Sequence, residues 1–194
     1  MSKKTILHLA RHGQTEWNTE HRIQGQFDSP LTVKGEQQAL QLAMLCLPLN
    51  INKILTSSLG RAIQTANICA DKLNLDVLVV DGIKERHFGQ WQGLLTPEVQ
   101  SHKDYTEITS QVTDCKPEGG ESARQLLTRF ENTLKKQVNE APDDTYLVVT
   151  HGDVLRCFMS QFLTQGQLQT GYDYKNGHLI SIGYNYESGF FFPL

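Results

Sequence analysis

Two tryptophans, four cysteines and six prolines in 194 residues are too few for a disulfide scaffold or a proline-rich linker. Cys46, Cys69, Cys115 and Cys157 stand far apart and none forms a C-x-x-C pair, so they read as reduced thiols and not as zinc or redox ligands. An excess of charge is missing too. The 18 Lys and Arg against 21 Asp and Glu leave a formal −3, and the cations are scattered, which excludes the basic footprint of a nucleic-acid or anionic-membrane binder. Long apolar runs are also absent. Met1-Ser-Lys-Lys-Thr5 enters a short apolar stretch broken by His8 and Arg11, with neither the core of a signal peptide nor the length of a membrane span. These absences point to a cytoplasmic protein with a small-molecule ligand and no nucleic-acid or membrane partner.

What is present is an alternation of β-prone and helical segments. Thr5–Ala10 predicts a buried first strand, followed by a helix capped by Thr32 and running to about Leu45, with Ala39, Leu42, Ala43 and Leu45 on its apolar side and Pro48 ending it. Lys53–Thr56 predicts a strand that turns through Ser57-Ser-Leu-Gly60 into a helix over Arg61–Lys72. Asp76–Val80 predicts a third strand. A Gly- and aromatic-rich loop follows over Asp81–Leu95, and then a weakly patterned stretch over Pro97–Lys116. The apolar repeat Leu126, Leu127, Phe130, Leu134, Val138 marks a helix over Glu121–Glu140. Tyr146–Thr150 is then a strand turning at His151-Gly152-Asp153 into a helix over Val154–Leu163. Leu179–Tyr184 and Phe190–Phe192 read as a hairpin. The Phe190–Phe192 end is expected to pack into the core, with a homodimer edge as the alternative.

This pattern implies one domain over residues 1–194, an α/β/α three-layer sandwich around a mostly parallel central sheet. Ligands of such sheets bind outside the carboxyl ends of the strands. Three chemically rich loops fall there: Arg11-His12-Gly13, Ser57 to Arg61, and His151-Gly152.

An Arg-His-Gly triplet is common and carries no function alone. Its surroundings give it meaning. Arg11 offers a planar fork to phosphate oxygens, Gly13 permits close approach of backbone amides to an anion, and Asn18 adds a neutral donor. Arg61 opens a helix whose own dipole favours an anion, and His151 stands at a comparable strand end. His8, His21, His87, His102 and His178 have no consistent ligand spacing, so neither a metal nor another cofactor is expected.

The segments Arg11-His-Gly-Gln-Thr-Glu-Trp-Asn18, Gln24-Gly25, Asp28-Ser-Pro-Leu-Thr32, Gly35, Ser57-Ser58 with Arg61, Thr65-Ala66, Glu85 with Phe88-Gly89, and Thr150-His-Gly152 resemble the phosphoglycerate mutase-like branch of the histidine phosphatase superfamily, of the broad-specificity or α-ribazole phosphatase type. The resemblance runs in order from residue 5 to about 160. It implies the phosphoglycerate mutase-like fold, His12 as nucleophile, Arg11, Arg61 and His151 as holders of the phosphoryl group, and Glu85 as general acid. Asn18, Gln24, Gly25 and Gly152 are implied as substrate-binding positions, and residues 96–116 as a substrate-covering insertion. Glu121, in Pro117-Glu-Gly-Gly-Glu-Ser122, rivals Glu85 because it sits in a second family-like loop. One departure is plain: Gly89-Gln-Trp-Gln-Gly93 lacks the carboxylate that many relatives carry in Gly-x-Trp-Glu-Gly.

Chemistry agrees with that casting. Attack on phosphorus needs an unprotonated imidazole nitrogen, with the other nitrogen donating to a fixed acceptor, expected to be a backbone carbonyl. Without metal, Arg11, Arg61 and a protonated His151 must balance the phosphoryl charge. The expected activity is a phosphatase acting on a small phosphorylated metabolite through phosphohistidine. A cofactor-dependent phosphoglycerate mutase and a non-catalytic phosphate-binding module are the alternatives. Candidate substrates run from sugar phosphates and phosphoglycerates to nucleotide-like phosphates such as α-ribazole phosphate.

Overall fold

The computed structural model describes residues 4–142, 144–163, 170–171 and 173–194, so Met1, Ser2 and Lys3 of the N-terminal segment lie outside the described residues. In chain order the elements are β1 (Lys4–Arg11), α1 (Glu16–Thr19), α2 (Val33–Cys46), β2 (Lys53–Thr56), α3 (Gly60–Leu73) and β3 (Val77–Val79). Then come α4 (Thr96–Val99), α5 (Tyr105–Ser110), α6 (Ala123–Glu140), β4 (Tyr146–Thr150), α7 (Gly152–Met159), β5 (Leu179–Asn185) and β6 (Phe190–Pro193).

The strands form one sheet in the order β3-β2-β4-β1-β5-β6. β1 to β4 run parallel, and the β5-β6 hairpin adds antiparallel to β1. Side chains alternate across it, as strand geometry requires. Leu7, Leu9, Leu55 and Val148 face α6 and α7, whereas Ala10, Ile54, Leu147 and Val149 face α2 and α3. Both faces are therefore covered, and the central strands are apolar on each side.

The helices follow their apolar stripes, with instructive exceptions. In α2 the buried positions are Gly35, Ala39, Leu42, Ala43 and Cys46, at helical spacing, while Leu45 points outward at 57% exposure. Pro48 sits in a 3-10 turn over Leu47–Leu49, where the α-helix stops. In α3 the stripe facing the sheet includes buried Arg61 and Thr65, while Ile63 and Ile68 are only half-buried. α6 starts at Ala123 and not at Glu121, because Ser122 is its N-cap and forms a capping box with Gln125. α7 starts at Gly152, two residues before the expected point, and gives way to a 3-10 turn over Ser160–Phe162. The weakly patterned stretch holds two short helices around a small cluster of Trp91, Val99 and Ile108. At the chain end Phe191 enters the main core, whereas Phe190 is 69% exposed, so the expectation of core packing holds for only part of that run.

Register decides where the loops meet. Arg11 of β1 pairs with Thr150 of β4, and Thr56 of β2 pairs with Val149, so three strands end level. The residues that follow, His12, Ser57 and His151, are brought side by side.

Candidate active site

A cavity of about 160 Å³ opens at these strand ends, and Arg11, His12, Asn18, Gln24, Gly25, Arg61, Glu85 and Gly152 all line it. His151 lies just behind, its ring centroid 5.2 Å from that of His12. The first-strand loop, the α3 start, the 81–95 loop and the α7 start thus each deliver a side chain.

His12 is held by both ring nitrogens. Nδ1 donates to the carbonyl of Gly13 at 2.7 Å, and Nε2 accepts from Nε of Arg61 at 3.2 Å. This pair selects the tautomer with its lone pair on Nε2. Burial above all, then Arg61 and Arg11, holds His12 well below the ordinary imidazole pKa, with the Gly13 carbonyl opposing. The ring is neutral at neutral pH.

Arg61 is fixed by its neighbours. Nη1 donates to Phe27 O at 2.8 Å and to Asp28 Oδ1 at 3.1 Å, and Nη2 donates to Gly25 O at 2.8 Å. Asp28 also accepts the backbone N–H groups of Gly60 and Arg61. It supplies from a distant loop the N-terminal cap that Leu59 cannot provide. Gly25, expected as a substrate-binding position, has a φ of +55°, and its carbonyl holds the guanidinium.

Arg11 donates through Nη1 to Tyr174 O at 2.6 Å and Gly171 O at 3.1 Å. Its guanidinium packs on Gly152, where an added Cβ would lie 3.2 Å from Cζ. Asn18 uses Oδ1 to accept from Thr15 N and Asn176 Nδ2, which leaves its amide nitrogen for the cavity. Gln24 donates to Thr15 Oγ1 at 2.9 Å, and its buried Oε1 has no partner among the described residues.

One expectation needs correction. Gly13 does not offer its N–H to a ligand, because that group donates to Thr65 Oγ1 at 3.0 Å. Glycine is required there because a Cβ would lie 2.3 Å from the carbonyl of Gly35, so α2 crosses too closely for any side chain. Burial first, then Arg61, His12 and Arg11, hold the His151 pKa well below the ordinary imidazole value, so the protonation expected of it calls for an anion in the cavity. Its Nε2 lies 2.7 Å from Ser57 Oγ, and its buried Nδ1 has no partner among the described residues.

The two rival carboxylates have different surroundings. Glu121 is engaged at both oxygens by Arg129, each at 2.8 Å, in a bidentate pair outside the cavity. Arg129 also donates to the carbonyls of Gly82, Lys84 and Glu85, so the pair braces the loop that carries Glu85. Glu85 itself is buried, with Oε1 accepting from Arg86 N at 2.9 Å and Oε2 from Asp153 N at 3.2 Å. Burial, followed by the Asp153 charge, raises its pKa, while the N–H donors and Arg61 work the other way.

The residues that sequence reading passed over are Asp28 as a clamp, Asn176, which donates to His12 O at 2.9 Å, and the buried trio Arg86, Asp153 and Arg156. A signal existed for the last: Asp153 and Arg156 are charges set in an otherwise apolar helix, which exposure could not accommodate.

A covered, mostly parallel sheet with basic, imidazole and neutral-amide groups gathered at its strand ends defines an α/β protein with a cationic site at the carboxyl ends of its strands. The profile of the histidine phosphatase superfamily (branch 1) matches residues 7–191, and the chain belongs to that superfamily. It is 38% identical over 162 residues to the "Probable phosphoglycerate mutase GpmB" of Enterobacter sp. strain 638, covering 81% of this chain and 74% of that protein. Among solved structures, Bacillus stearothermophilus YhfR superposes with a TM-score of 0.82 at 29% identity, over 97% of this chain and 95% of that one. A mycobacterial glucosyl-3-phosphoglycerate phosphatase in complex with VO3 superposes with a TM-score of 0.78 at 25% identity, over 91% and 90% of the two chains.

Proposed function

We propose that this protein is a metal-independent phosphatase that hydrolyses small phosphomonoesters through a covalent phosphohistidine at His12, with Glu85 as general acid and base. The observation that carries the reading is the two-sided grip on His12, which keeps a lone pair on Nε2 beside a cavity that also holds Glu85. In the first step Nε2 bonds to phosphorus and the P–O ester bond breaks. The Glu85 proton passes to the leaving alkoxide, giving alcohol. As the imidazole becomes cationic, the Nδ1–H to Gly13 bond strengthens.

Arg61 supplies a built-in exchange. Its Nε covers Nε2 of His12 in the free protein, and an arriving phosphoryl oxygen takes over that donor, uncovering the nucleophile. Arg11 and the Asn18 amide meet the other oxygens, and the added dianion draws a proton onto His151. In the second step water attacks phosphorus, Glu85 takes its proton, and the P–N bond breaks to release phosphate. Residues 96–116 cover the substrate, since Thr96, Tyr105 and Thr109 line the same cavity. The free cysteines fit a cytoplasmic setting.

The mutase reading rests on the name of the relatives. Against it, the outer cavity offers Ile23, Phe88 and Tyr105, and the further arginine there, Arg22, is bound to Glu20 Oε2 at 2.8 Å and Gly93 O at 2.6 Å. That wall is poor in cations for a second acidic group. Release of p-nitrophenol from its phosphate in EDTA, lost in His12→Ala, together with acid-labile label on His12, is the expected result. Label on another residue, or equal release by His12→Ala, refutes the mechanism. Fast conversion of 3-phosphoglycerate with 2,3-bisphosphoglycerate primer would make it a mutase.

A further inference from the structure

Two buried arginines carry three backbone carbonyls of the stretch that lines the cavity. Arg86 donates through Nη1 to Ile108 O at 2.6 Å and through Nη2 to Cys115 O at 3.1 Å, and Arg156 donates through Nη1 to Gln111 O at 3.2 Å. One carboxylate joins the pair: Asp153 Oδ1 accepts from Arg156 Nε at 2.5 Å, and Oδ2 lies 3.5 Å from Arg86 Nη1. All three side chains are buried. The backbone N–H groups that orient the Glu85 carboxyl belong to Arg86 and Asp153, two members of the same cluster.

We propose that Asp153, clamped between Arg86 and Arg156, is a positioning residue that holds the Glu85 carboxyl in the cavity and seats residues 108–115 beside it. The inference rests on the acid role given to Glu85 above.

The physical reason is an unequal sharing of charge. Two adjacent carboxyls in a buried site do not both ionise easily. Despite its burial, Asp153 is held below the ordinary carboxyl pKa by Arg156 and Arg86. Of the two carboxyls Glu85 therefore holds its proton to higher pH, its raised pKa having burial and then Asp153 as its causes. The charged groups around Glu85 are Asp153 and Arg156 on α7, Arg61 on α3, Arg86 beside it in the chain, and Arg129 on α6, which reaches its carbonyl. Among these, Asp153 is the anion. The clamp thus joins the seating of the cavity wall to the availability of the acid proton.

The test compares Asp153→Asn in the full chain with the wild type on two substrates, a primary alkyl phosphate and p-nitrophenyl phosphate. Only the alkyl ester needs a proton on its leaving group. With the buried anion gone, the alkaline limb of kcat/KM for the alkyl ester is expected to move to lower pH by about one unit. At fixed alkaline pH, alkyl turnover falls roughly tenfold more than aryl turnover. Asp153→Asn with Arg156→Met preserves the net charge of the cluster and answers for a single variant that does not fold. Losing the Arg156 cation offsets part of the effect, so a selective shift in the same direction but smaller is expected of it. Equal losses on both esters with an unmoved limb, or no change at all, would overturn the proposal by making Asp153 merely structural or dispensable. Glu85→Gln separates the two layers of argument. If it spares the alkyl ester, the acid assignment itself fails; if it does not, an unmoved limb in the Asp153 variants sinks only the positioning role.

Discussion

Replacing Glu85 with glutamine removes an acidic proton and almost no volume, which makes it the sharpest probe of the mechanism. The carboxyl accepts two N–H bonds, from Arg86 at 2.9 Å and Asp153 at 3.2 Å. A glutamine has one acceptor and turns an NH2 group toward the other donor. One buried donor loses its partner, at a cost of roughly 1–3 kcal/mol in stability. A domain with about 5–15 kcal/mol in hand remains folded. The chemical loss is of another kind. General acid catalysis contributes about 10²–10⁴-fold, which is roughly 2.7–5.4 kcal/mol of barrier. That loss falls on esters whose leaving alkoxide is a strong base, whereas p-nitrophenolate departs without a proton. The assay is kcat/KM at pH 7 for a series of alkyl and aryl phosphates, with thermal melting beside it. Alkyl esters are expected to lose about 100-fold or more, and p-nitrophenyl phosphate less than about tenfold. Comparable losses on both would refute the reasoning, because a displaced site harms every substrate alike.

The other predictions concern stability. His12 and His151 have folded pKa values below their unfolded ones, so the unfolded chain binds their protons first. Their contribution to stability is present above about pH 6.5 and falls by roughly 2.7 kcal/mol per pH unit below it, until the folded values are reached. Urea midpoints between pH 6.5 and 5.5 should show a fall that His12→Ala and His151→Ala each reduce; an unchanged slope contradicts their neutral burial. Gly13→Ala puts a Cβ 2.3 Å from Gly35 O, where backbone must yield. The expected cost is about 1–3 kcal/mol, or roughly 2–12 °C in melting temperature, and wild-type melting would show that the approach of α2 is adjustable.

Much of this architecture is written in local chemistry. Thr32 accepts from Gly35 N as its position before an apolar helix predicts, and the His12 Nδ1 acceptor is a backbone carbonyl. The strand-turn-helix units over Lys53–Leu73 and Tyr146–Met159 were legible because apolar runs, glycines and helical spacing lie next to each other in the chain. Leu45 was misjudged because one residue turns a helix by about 100°, so neighbouring apolar positions fall on different faces. The segment from Pro97 to Lys116 was illegible because its helices have only four and six residues and its carbonyls at Ile108, Gln111 and Cys115 are held by distant arginines. No local periodicity records that support.

The sequence by itself determined the succession of strands and of the long helices, the family, and the identity of the groups that meet at the strand ends. These follow from short-range patterns and from motifs whose residues lie within a few positions of each other. Tertiary structure alone decided which atom of each group is available. The tautomer of His12 depends on Arg61, 49 residues away, and the pKa of Glu85 is raised in part by the charge of Asp153, 68 residues away. Protonation is set by burial and by charges a few ångströms off, and those distances exist only once the sheet has closed. Sequence could name Glu85 and Glu121 as rivals; a bidentate arginine on one and a buried anion beside the other separate them.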